Sequence, residues 1–369
     1  MALQNFGIYT IRTANSSDSG RQLTKSSDGT LNLADGDTPG NEFMIVHAGN
    51  HAGKDAYYII HSDRDSCICP NSPTDSKGQV MCWPLSEQPN YGTATLWVLA
   101  EVSDGKYAIV NEHNNAWMLA RWIGGDTTMI IYDTDGSSVI NGDVKYWQFV
   151  RSSGAYALTP EDLAQDGVHC GNLSNKAQQP PELTDPNNAY SNWAGTPAVT
   201  ERAYLPCIFV TDKNTTSAPP WVYILEKTTY FHQVDAYNDY SEGAKDRELT
   251  DWKQVEYSTG IEQSQTSEFS VTTGIEVSAT VGAEVKFVNA SVTATASLEM
   301  GFTKEFSETI TQGVSKTETI QRMSHSLTVL FQADVAFSVK RKDENETLVA
   351  SWGYRDETTF VRYYPSPSA

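Results

Sequence analysis

The side chains that do chemistry are thinly spread in this chain. Seven histidines are scattered over 369 residues, and none stands in a His-Glu-x-x-His pair. That spacing matters because two imidazoles four residues apart share one helix face and can hold a metal together. Gly-x-Ser-x-Gly, phosphate-loop and dinucleotide-binding glycine patterns are absent as well. Asp133 and Asp135 lie beside Gly136, which reads as turn chemistry rather than as an acid with its partner. His232 follows Tyr230 and Phe231 and reads as a packed side chain, not a general base. Cys67, Cys69, Cys82, Cys170 and Cys207 are odd in number and lack metal-ligand spacing. Catalysis needs convergent groups of the right types. The expectation is therefore no enzyme, no cofactor and no metal.

The strong signal is amphipathicity. From Phe269 to Phe287 the odd positions are apolar or small, among them Ile275, Val277, Val281, Val285 and Phe287. The even positions between them are polar or Gly, including Glu276, Glu284 and Lys286. Around Val288 and Asn289 the phase flips, so that Ala290, Val292, Ala294, Leu298 and Phe302 are apolar and Ser291, Thr293 and Glu299 fall between. Alternation of period two marks a strand with one apolar face, and a clean phase switch marks a reversal. The segment 269–302 thus reads as two long arms with a turn near Val288. A tilted membrane strand needs only about 9–11 residues, apolar outside and polar inside. The expectation is a membrane-insertion hairpin with Glu276, Glu284, Lys286 and Glu299 on the lumen side.

Composition narrows the partners. A formal net charge of −20 excludes nucleic acid as a natural ligand and gives no pull toward an anionic membrane. Binding to a membrane would need a receptor, a sugar or inserted apolar surface. Met1 to Gly7 lacks the basic and apolar regions of a signal peptide, so synthesis in a cytosol is expected. Thiols made there are expected to be free, although Cys67 or Cys69 could reach Cys82 across neighbouring strands. Between Lys253 and Lys304 the only Lys or Arg is Lys286, which leaves trypsin-like proteases little to cut.

The first third repeats itself. Tyr9-Thr10-Ile11, Tyr58-Ile59-Ile60 and Tyr107-Ala108-Ile109 recur at equal spacing, and each unit closes on an aromatic strand around Phe43, Trp97 or Trp147. Two further short strands lie between in every unit: 21–25 with 31–34, 67–69 with 80–83, and 117–121 with 129–132. Three such units resemble a β-trefoil of the ricin-B lectin type, with the closing aromatic where that family has the Trp of Gln-x-Trp. The Gln position is Asn41, Thr95 and Lys145 here. The resemblance implies sugar pockets built on an aromatic platform. It nominates Trp83, with Gln88 and Asn90 nearby, and Tyr132 with Asp133 beside it, while Ala34 in the first unit implies a dead pocket.

Residues 153–202 are a connector with turn punctuation, expected to pack on the second domain. Beyond it, Leu205-Pro206-Cys207-Ile208, Tyr223-Ile224-Leu225-Glu226, Tyr230-Phe231-His232-Gln233 and Thr259-Gly260-Ile261 precede the Ser/Thr-rich hairpin. Their order resembles the Bin-type insecticidal toxins of spore-forming bacilli. That resemblance implies an all-β chain: a trefoil over residues 1–152 and an elongated aerolysin-like pore-forming domain over 203–369. It also implies a spore-associated crystal and a glycan or glycosylated receptor on insect gut cells. Homo-oligomerisation would follow, then membrane insertion as a cation-selective barrel, with a second toxin component as a further partner. The rival reading is a non-lytic carbohydrate-binding protein serving storage or defence.

Overall fold

The computed structural model describes residues 3–14, 20–72, 77–84, 92–103, 105–123, 127–133, 144–156, 158, 171–172, 179–180, 194–209, 212, 219–239, 252–258, 260–261, 269–271, 275–277, 315–323, 326–343 and 345–365. Twelve strands form the N-terminal part: β1 (Gly7–Thr13), β2 (Gln22–Lys25), β3 (Leu31–Ala34), β4 (Phe43–His51), β5 (Lys54–His61), β6 (Ser66–Pro70), β7 (Lys77–Pro84), β8 (Trp97–Ser103), β9 (Lys106–Asn111), β10 (Trp117–Ile123), β11 (Thr127–Asp133) and β12 (Trp147–Tyr156). Six of them close a barrel through the antiparallel pairs β1–β4, β4–β5, β5–β8, β8–β9, β9–β12 and β12–β1. Closure removes every sheet edge. The other six make the hairpins β2–β3, β6–β7 and β10–β11, which pack on the barrel interior and on one another. At one such contact a Cβ on Gly29 (φ 85°) would sit 2.7 Å from the Cys82 carbonyl oxygen, so only glycine fits.

This is the β-trefoil expected, and its three-fold repeat can be read from the register. Tyr9 lies opposite Phe43, Tyr57 opposite Trp97 and Tyr107 opposite Trp147. Two residues on, Ile11, Ile59 and Ile109 are fully buried in the barrel with Phe43, Trp97 and Trp147. The Trp97 indole N–H donates to the Ile68 carbonyl (2.8 Å) and that of Trp147 to the equivalent Met118 carbonyl (3.0 Å). The equal spacing of Tyr9, Tyr58 and Tyr107 is therefore one residue out of register in the second unit, where Tyr57 is the true equivalent. A slip of one residue moves a strand's side chains to the other face. Tyr58 and Ile60 accordingly point out of the barrel.

What they point at is the second domain. Its strands are β13 (Gly171–Asn172), β14 (Ala198–Pro206), β15 (Val222–Asn238), β16 (Trp252–Ser258), β17 (Gly260–Ile261), β18 (Phe269–Val271), β19 (Ile275–Val277), β20 (Ser315–Gln321), β21 (Ser326–Arg341) and β22 (Leu348–Pro365). One antiparallel sheet runs in the order β13-β14-β15-β21-β22-β17. Its long strands β15, β21 and β22 hold 17, 16 and 18 residues, or roughly 50–60 Å at about 3.3 Å per residue. The expected boundary at residue 203 shifts: β14 starts at Ala198, and β12 runs on to Tyr156, opposite Gly7. From the connector, β13 pairs β14 and Ala194 bridges His232.

A single apolar cluster joins the two domains. Phe6, Ile8, Met44, Val46, Tyr58, Ile60 and Leu96 of the trefoil pack with Ala203, Leu205, Ile208, Tyr223, Leu225, Phe337 and Val339. Arg64, in the left-handed region at φ 69°, donates to the Pro219 carbonyl and lies 5.2 Å from the Trp221 ring. The trefoil is docked on the second domain through a shared core. Heating should unfold wild-type protein in one calorimetric transition. Phe337→Ala, which empties a fully buried position at the junction, should cost about 3–5 kcal/mol and split that transition into two. Two transitions in the wild type would contradict a shared core.

Candidate functional site

The expected insertion segment leaves and re-enters the body through a two-stranded ladder. Strand β16 pairs antiparallel with β20 from Trp252 opposite Gln321 to Ser258 opposite Ser315. One face is turned inward: Val255 and Ile320 are buried with Leu330, against Val234, Tyr237 and Val361. Gln254, Glu256, Ser258, Thr317 and Thr319 face solvent, as does Trp252, 59% exposed. Odd residues of β16 are thus inner and odd residues of β20 outer. This is the phase seen on the two arms in sequence, where apolar residues are odd going out and even coming back. Ladder and arms follow one alternation.

The neck of this excursion is tied by charge. Arg322, just past β20, grips Asp239, just past β15, through both guanidinium and carboxylate forks, with Nε–Oδ2 at 2.9 Å. The Arg322 guanidinium also stacks 5.5 Å from the Tyr237 ring, and the Asp239 N–H donates to the Ser326 carbonyl (3.0 Å). Burial, helped by the neighbouring Asp235, pushes the Tyr237 hydroxyl up to about 12, so it stays a donor to Asp235 at 2.7 Å. At the other end of the ladder Lys316 pairs with Glu357, and the Gln332 side chain donates to the Ser258 carbonyl at 2.9 Å.

Of the insertion residues, Ile275, Glu276 and Val277 lie in β19, which pairs antiparallel with β18: Phe269 is opposite Val277 and Val271 opposite Ile275. The chain therefore reverses inside the first arm, and the expectation of one uninterrupted strand over 269–287 does not hold in this form of the protein. Val281, Glu284, Val285, Lys286, Phe287, Val288, Val292, Leu298 and Glu299 lie outside the described residues.

The trefoil residues nominated for sugar do not stand at equivalent strand positions. Tyr132 lies opposite Met118 and Cys82 opposite Ile68, which makes Tyr132 the counterpart of Cys82 and Leu33. Trp83 instead corresponds to Asp133 and Ala34. Pairing Trp83 with Tyr132 across units was a one-residue slip. Asp133 is 1% exposed, so in this form it is walled in rather than offered to a ligand. Trp83 is half-buried, with a buried indole N–H that has no hydrogen-bond partner among the described residues; only part of its ring is open. Gln88 and Asn90 lie outside the described residues.

Sequence reasoning passed over a set of buried and half-buried carboxylates. Glu226, 1% exposed, meets Arg202 at Nε–Oε1 2.9 Å and Lys340 at Nζ–Oε2 2.6 Å across three adjacent strands. Asp212 holds Arg341 at 2.6 Å. Asp63 accepts from Ser66 (2.7 Å), pairs with Lys25 and lies 3.1 Å from His61, which fixes the turn that aims Arg64 at the second domain. Burial alone would raise the Asp63 carboxyl, but hydrogen bonds from His61, Lys25 and Ser66 outweigh it and hold it well below the ordinary carboxylate range. Isolated Asp and Glu in a strand carry no period or motif, so the only available signal was an acidic residue inside an apolar run, as in Tyr223-Ile224-Leu225-Glu226. The described residues contain no cluster of three or more His, Cys, Asp or Glu placed to hold a metal ion.

Comparison with solved structures sets this geometry beside Cry35Ab1, with a TM-score of 0.65 at 15% identity over 98% of this chain and 90% of that one. The chain has the fold of Cry35Ab1. The designed three-fold protein ThreeFoil (TM-score 0.31, 16% identity) covers 40% of this chain and 99% of its own. The BEL β-trefoil (TM-score 0.32, 12% identity) covers 41% and 96%. At that level these two likenesses carry no argument. No family model matches the sequence, and no curated protein does.

Two outcomes follow from the buried groups. Cys67 and Cys69 share one strand face while Cys82, opposite Ile68, lies on the other, so neither can bridge to it, and all three are free, as is Cys207. Burial pushes the Cys69 and Cys207 thiols up to about 12, and all four should resist a thiol reagent at pH 8 until denaturant is added. Labelling of any of them in the folded protein would contradict this burial. For Glu226, burial raises the carboxyl, but Lys340 and Arg202 outweigh it, so its folded value lies below 4.5. Its contribution to stability is full above that pH and is lost as pH falls through the depressed value. Denaturant midpoints of Glu226→Gln should lie below wild type at pH 7 and converge on it as acid protonates Glu226 in the wild type.

Proposed function

We propose that the chain is an insecticidal β-pore-forming toxin. The trefoil engages a glycan or glycosylated receptor on insect gut cells. Copies of the chain assemble, and segment 269–302 of each copy enters the membrane as one hairpin of a shared barrel. It is read as made in a bacterial cytosol, stored in a spore-associated crystal and active at the host cell membrane. Its fold likeness to Cry35Ab1 supports this reading.

The observation that carries it is the register of β16 and β20. Continued residue by residue from Ser258 opposite Ser315, that register sets Val271 opposite Phe302, Ile275 opposite Leu298, Val281 opposite Val292 and Val285 opposite Val288. It sets Ser270 opposite Thr303, Glu276 opposite Ser297, Thr280 opposite Thr293 and Glu284 opposite Asn289. Apolar residues meet apolar and polar meet polar at these pairs, while Phe269 falls opposite Lys304 and Thr273 opposite Met300; the described part of the ladder ends at Ser258. Directly opposed residues share a sheet face, so a hairpin in this register has one lipid-ready face and one wet face. The same continuation places the turn at Lys286-Phe287, two residues before the phase flip seen in sequence. A lone hairpin leaves edge groups unpaired in lipid, and a closed ring of hairpins satisfies them.

The wet face carries Glu276, Glu284 and Glu299 against Lys286 at the turn. Acidic rings favour cations. Protease-treated protein added to a planar bilayer should give discrete current steps with a reversal potential set by the cation. Glu276→Gln with Glu284→Gln should weaken that preference several-fold. Chloride selectivity would contradict the lumen assignment. Silence in every lipid mixture, glycolipid included, would favour the non-lytic carbohydrate-binding reading or a required second component.

A further inference from the structure

The end of the barrel away from the three hairpins is ringed by polar side chains. One layer beyond Ile11, Ile59 and Ile109, the register sets Tyr9 opposite Arg151, Tyr57 opposite His47 and Tyr107 opposite Glu101. Directly opposed residues share a sheet face, so these six circle the mouth of a barrel whose interior is apolar. Tyr9 and Tyr107 both stand perpendicular to the Phe149 ring, at 6.0 and 5.3 Å.

Residues 3–7 run from this mouth to the domain junction. Leu3 packs on the barrel core. The Gln4 N–H donates to the Tyr9 hydroxyl (2.8 Å), and the Gln4 side-chain oxygen accepts from the Arg151 guanidinium (2.6 Å). The Asn5 side-chain oxygen accepts two N–H bonds, from Phe6 at 3.0 Å and from His47 at 2.8 Å. Phe6 then turns into the left-handed region at φ 56°, where a bulky residue is an outlier. Its side chain does not join the barrel core beside Leu3. It is 1% exposed and belongs to the junction cluster with Leu205, Tyr223 and Phe337.

An outlier of this kind persists only where its surroundings over-determine it. Here the Phe6 N–H also donates to the Ile45 carbonyl (2.7 Å), and the Gly7 N–H closes the turn on the Gln4 carbonyl (2.9 Å). A Cβ on Gly7 would lie 2.6 Å from a Tyr9 ring carbon and 2.7 Å from the Tyr9 hydroxyl oxygen. Only glycine leaves room for that hydroxyl to reach Gln4. The segment is thus held at both ends, by polar groups at the mouth and by an apolar ring at the junction.

We propose that residues 3–7 are a strap that locks the trefoil onto the second domain. Gln4 and Asn5 anchor it at the barrel mouth, and Phe6 is its wedge in the junction. Loosening the anchor withdraws the wedge, so mouth and junction open together. The strap does not depend on pore formation and is measurable in the soluble full-length chain.

Two thiols report on the junction: Cys67 and Cys207 are buried in its cluster, whereas Cys82 lies in the barrel core. Asn5→Ala removes the acceptor of two N–H groups, and Asn5→Asp keeps it. In Asn5→Ala, amide hydrogen exchange at His47 and thiol labelling of Cys67 and Cys207 should each rise about ten-fold, on the scale of the hydrogen bonds lost. Cys82 should stay as slow as in wild type, and Asn5→Asp should restore both rates. Phe6→Gly keeps the left-handed bend and removes the wedge. It should speed labelling of Cys67 and Cys207 to a similar degree and leave exchange at His47 unchanged. Cys82 labelling in step with the other two would mean a general loss of stability and would overturn the strap. So would faster exchange at His47 in Asn5→Ala with Cys67 and Cys207 still protected, or full protection of both thiols in Phe6→Gly.

Discussion

A β-ladder fixes parity. Once Trp252 stands opposite Gln321, every odd residue going out is matched to an even residue coming back. The rest of the excursion inherits that rule. A sequence whose apolar positions were odd on both arms would put its apolar side chains on opposite faces and could not make one greasy surface. This chain satisfies the rule over both arms, from Phe269 to Phe302. The described ladder runs to Ser258, whose carbonyl accepts from the Gln332 amide, and Gly260 and Ile261 pair with β22. The neck at Asp239 and Arg322 keeps both roots of the excursion on the body. A change of form at the hairpin thus need not disturb the long sheet that carries it.

The shared core between the domains has a functional corollary. The outer face of β1, β4 and β5 is occupied by Leu205, Tyr223, Phe337 and their neighbours, so the receptor recognition we propose would fall to the remaining trefoil surface. Trp83 is the nominated aromatic with open ring surface there among the described side chains. Because the trefoil is rigidly seated, docking it on a cell would also orient the long sheet and the neck.

Much of this was legible in sequence. All twelve trefoil strands follow from alternation and turn residues, since each needs only local pattern. What failed was phase. The doublet Tyr57-Tyr58 offers two registers, and equal spacing favours the wrong one; only the pairing of Tyr57 with Trp97 decides. The same kind of slip made Tyr132 the counterpart of Trp83. The junction was overlooked although its sign was present. Phe43-Met44-Ile45-Val46 and Tyr57-Tyr58-Ile59-Ile60 are apolar on both faces, as a strand covered on both sides must be. By contrast, Glu101 and Val102 on β8 are exposed. The buried ion pairs around Glu226, Asp212 and Asp239 were illegible because they join residues distant in sequence, and a carboxylate alone does not name its partner.

The claim that most needs testing is that one register runs from the visible ladder through the membrane hairpin. Val281→Cys with Val292→Cys would be combined in full-length protein, assembled on vesicles and oxidised. The register of β16 and β20 places these two side by side, so an intrachain disulfide should form in the assembled protein in high yield. The pair Val281→Cys with Ala296→Cys, four residues out of register, should not form one. Cross-linking of the second pair in place of the first would contradict the account, because the hairpin would then pair in a register that the ladder does not continue into.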